Sequence, residues 1–321
     1  MLRIAAKTDQ ERERVKEIIR AVERARGRRL YCFYQDMRRS VDETIDHDAV
    51  VETRRNLQEV GHLDKLSILI ESPGGNIDSS FRLARTLRRY ADDVEAIVVN
   101  WAKSGATFLC LSANSLVMSY DGEIGPLDTQ IADPRGGRSI SALNAFKSLE
   151  FLREHILEAL EMLVRYYVEE HNMSLPHAVK SAEPLVSDVV APLFAQIDPL
   201  ELGEARRYLA LGEHYTRIAM ERYSYSHLSR NTRENLIRKL VWSYPSHGVM
   251  IDRQEAKRIG LNVIDLDDAT SDLLEEMLAT AKGCIGMATD EPAAGNPPAH
   301  EEQIDLTAEN EATEATEAAP R

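Results

Sequence analysis

The sequence predicts an α/β fold built around a mainly parallel sheet. Two units carry that reading. The apolar run Leu66–Ile70 meets a turn at Ser72-Pro73-Gly74-Gly75, and Ile77, Phe81, Leu83, Ala84 and Leu87 then recur at helical spacing to about Tyr90. The run Val94–Val99 meets a second turn over Asn100–Ser104, and an apolar helical stretch follows to Ala113. Strand, turn, helix, repeated, implies parallel strands with functional turns at their carboxyl ends. The composition agrees, with 321 residues, 43% apolar and 29% charged, enough material for a sizeable core.

The remaining elements follow in order. Residues 9–26 are charged and helix-forming, Arg29–Tyr34 reads as a strand, and residues 46–60 place Val50, Val51, Leu57 and Val60 at helical positions. Leu116–Ser119 is a short strand before the Gly122–Gly125 turn, and a glycine-rich loop spans residues 133–138. A long helical pattern covers 141–171. Residues 174–243 read as several short helices, because Pro176, Pro184, Pro192 and Pro199 interrupt them. Residues 249–266 read as turn, short helix, stop at Gly260 and strand. From about 286 the chain is rich in Ala, Glu, Thr, Asn and Pro, a composition expected to be disordered. The expected organisation is a charged N-terminal helix (1–27), a core (28–140), a helical arm with a return to the core (141–285) and an acidic tail (286–321).

Composition excludes several functions. A net charge of −14 argues against binding nucleic acid, which needs clustered Lys and Arg. Cys32, Cys110 and Cys284 are widely spaced, with no zinc signature and no disulfide framework. The histidines at 155, 171, 177, 214 and 227 lack ligand spacing, so no metal is expected. Neither GxGxxG nor GxxxxGK[ST] occurs, so no nucleotide cofactor is expected. The stretch 96–118 is broken by Asn100, Lys103, Ser104, Ser112 and Asn114, too polar to span a membrane. The start of the chain has no secretory pattern. These features point to a cytoplasmic protein without a membrane anchor.

Two turns could carry chemistry. Pro73-Gly74-Gly75 lets a ligand approach backbone amides, although a plain strand-to-helix turn would look the same. Ser104 opens a buried helix at its positive end, where it is either an ordinary N-cap or a nucleophile.

The combination is more specific than either turn. Strand-PGG-helix, strand-Ser104-Gly105-Ala106-helix, the Gly122-Glu123-Ile124-Gly125-Pro126-Leu127-Asp128-Thr129-Gln130 segment and Glu255-Ala256-Lys257-x-x-Gly260-Leu261 resemble, in order, the Clp protease and signal peptide peptidase A superfamily of ClpP/crotonase-like fold. With Tyr244-Pro245-Ser246-His247, the pattern is most similar to the serine dehydrogenase proteinases. The chain differs from those relatives in having Ser104-Gly105-Ala106-Thr107 where they carry SAGT, and Thr129 where they carry proline.

The resemblance implies a serine peptidase working through an acyl-enzyme without ATP. Ser104 would be the nucleophile, with the Gly75 and Gly105 N–H groups as the oxyanion hole. The window where a Clp-type triad would hold histidine contains Thr129, Gln130 and Asp133 and no His. The signal peptide peptidase branch uses Ser-Lys, and Lys147 falls at the matching distance. His247 stands where Clp proteases hold the triad aspartate. It is a second candidate base, or an aid to Lys147. Lys103, next to Ser104, is a poor one. The implied partners are a peptide or protein substrate and further copies of the chain in a homo-oligomer. The rival readings are a crotonase-type acyl-CoA enzyme and a non-catalytic scaffold or chaperone that retains the fold.

Overall fold

The computed structural model describes residues 2–35, 44–132, 136 and 139–288. The chain opens with β1 (Arg3–Ile4), α1 (Asp9–Arg26), β2 (Arg29–Tyr34), α2 (His47–Val60), β3 (Leu63–Glu71) and α3 (Ile77–Tyr90). Next come β4 (Ala91–Val98), β5 (Trp101–Ala102), α4 (Gly105–Ser112), β6 (Ser115–Met118), β7 (Glu123–Ile124), β8 (Gln130–Ala132) and β9 (Ser139–Ser141). The long helices are α5 (Leu143–His171), α6 (Leu175–Phe194) and α7 (Pro199–Ala219), followed by α8 (Arg230–Arg238). The chain returns through β10 (Ile251–Asp252), α9 (Arg253–Arg258), β11 (Val263–Asp265), α10 (Asp268–Thr280) and β12 (Cys284–Met287).

A seven-stranded sheet in the order β1-β12-β2-β3-β4-β6-β11 forms the centre. The run from β2 through β3, β4 and β6 to β11 is parallel, while β12 and β1 add antiparallel pairings at one edge. The sequence thus reads correctly as α/β. The two-residue alternation of a strand sorts side chains to opposite faces. In β2, Tyr31 and Phe33 join one core, while Leu30, Cys32 and Tyr34 join the other. The first core is closed by α2, α3 and α4, the second by α1 and α10.

The strands of the parallel run are apolar because both faces are covered. Helix α4 has no polar face at all, and all eight of its residues are buried. Each large apolar side chain so buried contributes roughly 1.5–3 kcal/mol. This helix therefore anchors whatever precedes it.

Three expectations need correction. The N-terminal helix is part of the core, since Val15, Ile18, Ile19 and Val22 are buried against the sheet. Arg26 also grips the buried Glu95 carboxylate at 3.1 and 2.7 Å, and Ser67 donates to the same carboxylate at 2.8 Å. The prolines do not chop 175–194 into pieces, because α6 runs through Pro184 and Pro192. Pro176 lies in the first turn, where its missing N–H costs nothing. The carbonyls that Pro184 and Pro192 leave unbonded belong to Lys180 and Asp188, whose positions face water. Finally, Gly286 and Met287 pair with β2, so the sheet extends into the segment read as tail. The rest of that segment, 289–321, lies outside the described residues, as does nearly all of the 133–138 loop.

Glu71 ends β3 in a buried position and accepts the Trp101 N–H at 3.3 Å. Burial pushes its carboxyl from 4.5 up to about 7. In the unfolded chain it ionises near the ordinary value. Between about pH 4.5 and 7 the native state thus holds more protons, and this group's contribution to stability falls as pH rises. Glu71→Gln is expected to be more stable than the wild type above pH 7 by about 3 kcal/mol. The gap should close as pH falls to about 4.5, as measured by urea unfolding across that range.

Candidate active site

The site begins with backbone geometry. Ser104 precedes α4 with φ 52° and ψ −118°, and its side chain makes no capping hydrogen bond. N-caps sit in the extended region, so the cap alternative does not describe this serine. A non-glycine residue at such angles costs about 1–3 kcal/mol. Its neighbours hold it there. Lys103 N–H donates to Ser72 O at 3.0 Å, Ala106 N–H to Lys103 O at 2.9 Å, and Phe108 N–H to Ser104 O at 3.1 Å. The Lys103 ammonium turns to Glu123, 2.5 Å away.

The glycine turn packs directly on this serine turn. A Cβ at Gly74 (φ 96°) would lie 2.4 Å from Lys103 O, 2.6 Å from Gly105 N and 2.8 Å from Ser104 Cβ. A Cβ at Gly105 would meet Ser80 Oγ at 2.3 Å and Gly75 N at 3.2 Å. No side chain fits between the two turns, which brings the Gly75 and Gly105 amides side by side. Among the described residues, no backbone acceptor takes either N–H. Gly105 is the first residue of α4, where an N–H has no intrahelical partner.

A second, three-stranded sheet carries the other side of the site. Strand β5 pairs with β7 in parallel, and β10 pairs with β7 antiparallel. It joins the stretch before Ser104, the Gly122–Gln130 segment and the turn that holds His247. His247 Nδ1 lies 2.8 Å from Asp128 Oδ1. A carboxylate accepts here, so in the neutral imidazole the tautomer that fits has its hydrogen on Nδ1 and a lone pair on Nε2. Asp128 is 2% exposed. Its other oxygen takes the hydroxyl of Ser141.

Gly75, Ser104, Gly105, Leu127 and His247 line one cavity of about 460 Å³. Ile77, Leu127 and Leu211 give it apolar walls. The structure therefore brings together four of the five residues singled out in the sequence. Lys147 is the exception. It lies on α5 with a side chain 42% exposed, forms an ion pair with Glu150 at 2.9 Å, and lines a different cavity beside Phe146 and Trp242. The sequence pattern does not single out Asp128, although it is the aspartate of the Gly125-Pro126-x-Asp128 segment and directly precedes Thr129 and Gln130. Nothing local in the sequence marks Ser141.

Among the described residues, no helix is long and apolar enough to cross a membrane. Two uncharacterized proteins of Methanocaldococcus jannaschii are each 29% identical to the chain over 66 residues, 21% of this chain and 23% of theirs. The chain thus matches less than a quarter of the length of these relatives. Among solved structures, a ClpP1 variant from Listeria monocytogenes aligns at 14% identity over 50% of this chain and 82% of its own, with a TM-score of 0.25. A variant of the 1510-N membrane-bound stomatin-specific protease aligns at 14% identity over 48% and 69%, with a TM-score of 0.29. The family model that matches is described as ClpP-like SDH-type serine proteinase and covers residues 6–150. That segment holds Gly75, Ser104, Gly105 and Asp128, and stops short of His247. Residues 6–150 of the chain are thus similar to the ClpP-like SDH-type serine proteinases.

Proposed function

We propose that the protein is a serine peptidase in which Ser104, His247 and Asp128 act as a triad. The observation that carries this reading is the 2.8 Å hydrogen bond to the buried Asp128 from His247, which lines one cavity with the strained Ser104. Nucleophile, base and orienting carboxylate are recognised by role and geometry, and their order along the chain varies among unrelated folds.

In this mechanism His247 Nε2 takes the Ser104 hydroxyl proton as Oγ attacks the carbonyl carbon of a peptide bond. The carbonyl oxygen becomes an oxyanion and accepts from the Gly75 and Gly105 N–H groups. Each such donor is worth roughly 2.7–4 kcal/mol in the transition state. Asp128 stabilises the imidazolium. His247 then protonates the leaving amine, and the C–N bond breaks to leave an ester on Ser104. Water adds to that ester, His247 accepts its proton, and collapse releases a carboxylic acid and restores the serine.

Lys147 has no part in this scheme. Its ammonium is paired and exposed, whereas a lysine base must lose its proton near neutral pH through burial or nearby positive charge. The substrate is a peptide or an unfolded protein segment, since the cavity presents backbone donors and apolar walls. Hydrolysis needs no nucleotide, and the working form is a soluble, cytoplasmic homo-oligomer.

Ser104→Ala and His247→Ala are each expected to lower peptide hydrolysis by about 10⁴-fold or more. Asp128→Asn should cost about 10⁴-fold by favouring the wrong imidazole tautomer. Lys147→Ala should stay within about threefold of the wild type, as for a surface side chain away from the reacting atoms. Steady-state cleavage of a fluorogenic peptide library without ATP, with fluorophosphonate labelling mapped by mass spectrometry, reads all four. Full activity in Ser104→Ala would refute the reading. A collapse in Lys147→Ala with His247→Ala unaffected would return the base to Lys147.

A further inference from the structure

We propose that Ser141 is a positioning residue of this site, acting through Asp128; the inference rests on the Ser104–His247–Asp128 reading. A carboxylate that orients a histidine offers two equivalent oxygens on a soft terminal torsion. Left free, Asp128 could rotate and loosen its hold on Nδ1. Here one oxygen faces His247 and the other accepts the Ser141 hydroxyl. The plane of the carboxylate is thereby held from both sides.

Ser141 is itself tightly placed. Its oxygen accepts the Leu143 N–H at 3.0 Å. A hydroxyl has one hydrogen and two lone pairs, so this contact uses a lone pair and leaves the hydrogen for Asp128. The backbone around it is held as well. Strand β9 pairs with β8, with Ser141 opposite Gln130, and Ala142 N–H donates to Thr129 O at 2.8 Å. Thr129 follows Asp128 directly in the chain, so the serine and the aspartate ride on one hairpin. A serine that only capped α5 would have no reason to meet the buried carboxylate. A hydroxyl donating to an ionised carboxylate forms one of the stronger hydrogen bonds available to a protein.

The test compares Ser141→Ala, Ser141→Thr, His247→Asn and Asp128→Asn in the full chain. It measures the rate constant for fluorophosphonate labelling of Ser104 and the low-field proton resonance of His247 Nδ1–H. Ser141→Ala should label about 10- to 100-fold more slowly, the rate equivalent of one charge-assisted hydrogen bond, with the Nδ1 resonance shifted or lost. Ser141→Thr, which keeps the hydroxyl, should recover most of the rate and the resonance. Ser141→Cys, close in size and a poor donor, serves if the alanine variant does not fold, and should also label slowly. The proposal is overturned if Ser141→Ala labels at the wild-type rate while His247→Asn and Asp128→Asn do not; the triad reading then stands. It is overturned too if alanine and threonine variants slow alike, which marks a purely structural role. Wild-type labelling in His247→Asn would overturn the triad reading itself and this inference with it.

Discussion

The small sheet of β5, β7 and β10 is the contact on which the site depends. It is only a few residue pairs in extent. Trp101 and Ala102 pair with Glu123 and Ile124, and these pair in turn with Asp252 and Ile251. Backbone hydrogen bonds support it on either side. Glu123 N–H donates to Asn100 O at 2.8 Å, and Gly125 N–H to Ala102 O at 3.1 Å. Thr107 in α4 accepts the same Gly125 N–H at 3.0 Å and donates to Ala102 O at 2.8 Å. One threonine thus ties α4 to the segment that carries Asp128. Ile124 and Ile251 are fully buried at the centre of this arrangement. Apolar burial keeps closed a sheet too short to be stable alone.

The second constraint is steric. Ser104 is held in an unfavourable conformation, and the surrounding structure over-determines it. Helix α4 is buried along its whole length, so it cannot shift to relax the turn at its start. The glycine turn presses from the other side, at distances no Cβ would allow. Strain held by packing keeps Ser104 at the cavity, while among the described residues no backbone acceptor takes the Gly75 and Gly105 N–H groups beside it.

The arm is built by different rules. Leu143 is the only described residue of α5 that is buried, and Phe151, Leu157, Met162 and Tyr166 are exposed along it. A lysine on such a helix stays hydrated and finds a nearby carboxylate, as Lys147 does with Glu150. The positional analogy that pointed to Lys147 depended on distance along the chain. What decides a base is the cavity it faces, and Lys147 faces a different one, lined by Leu143, Phe146 and Trp242.

Local pattern in the sequence determined the βα units, the parallel sheet, the PGG turn and the serine at the head of a buried helix. These are short-range properties, set by apolar periodicity and by turn residues within a few positions of one another. Ser104, Gly75 and Gly105 were legible because each sits at a strand-to-helix turn. His247 was legible only as one of two candidate bases, and Asp128 only as part of a motif. Their pairing joins residues 119 positions apart, and it follows from the three-stranded sheet that folds residue 251 back onto residue 124. Ser141 lay beyond reach for the same reason, since its meaning comes from the carboxylate it touches. Pro184 and Pro192 misled because the penalty for a proline depends on whether the carbonyl it leaves unbonded is wet. Burial of that kind is decided only when the chain is packed.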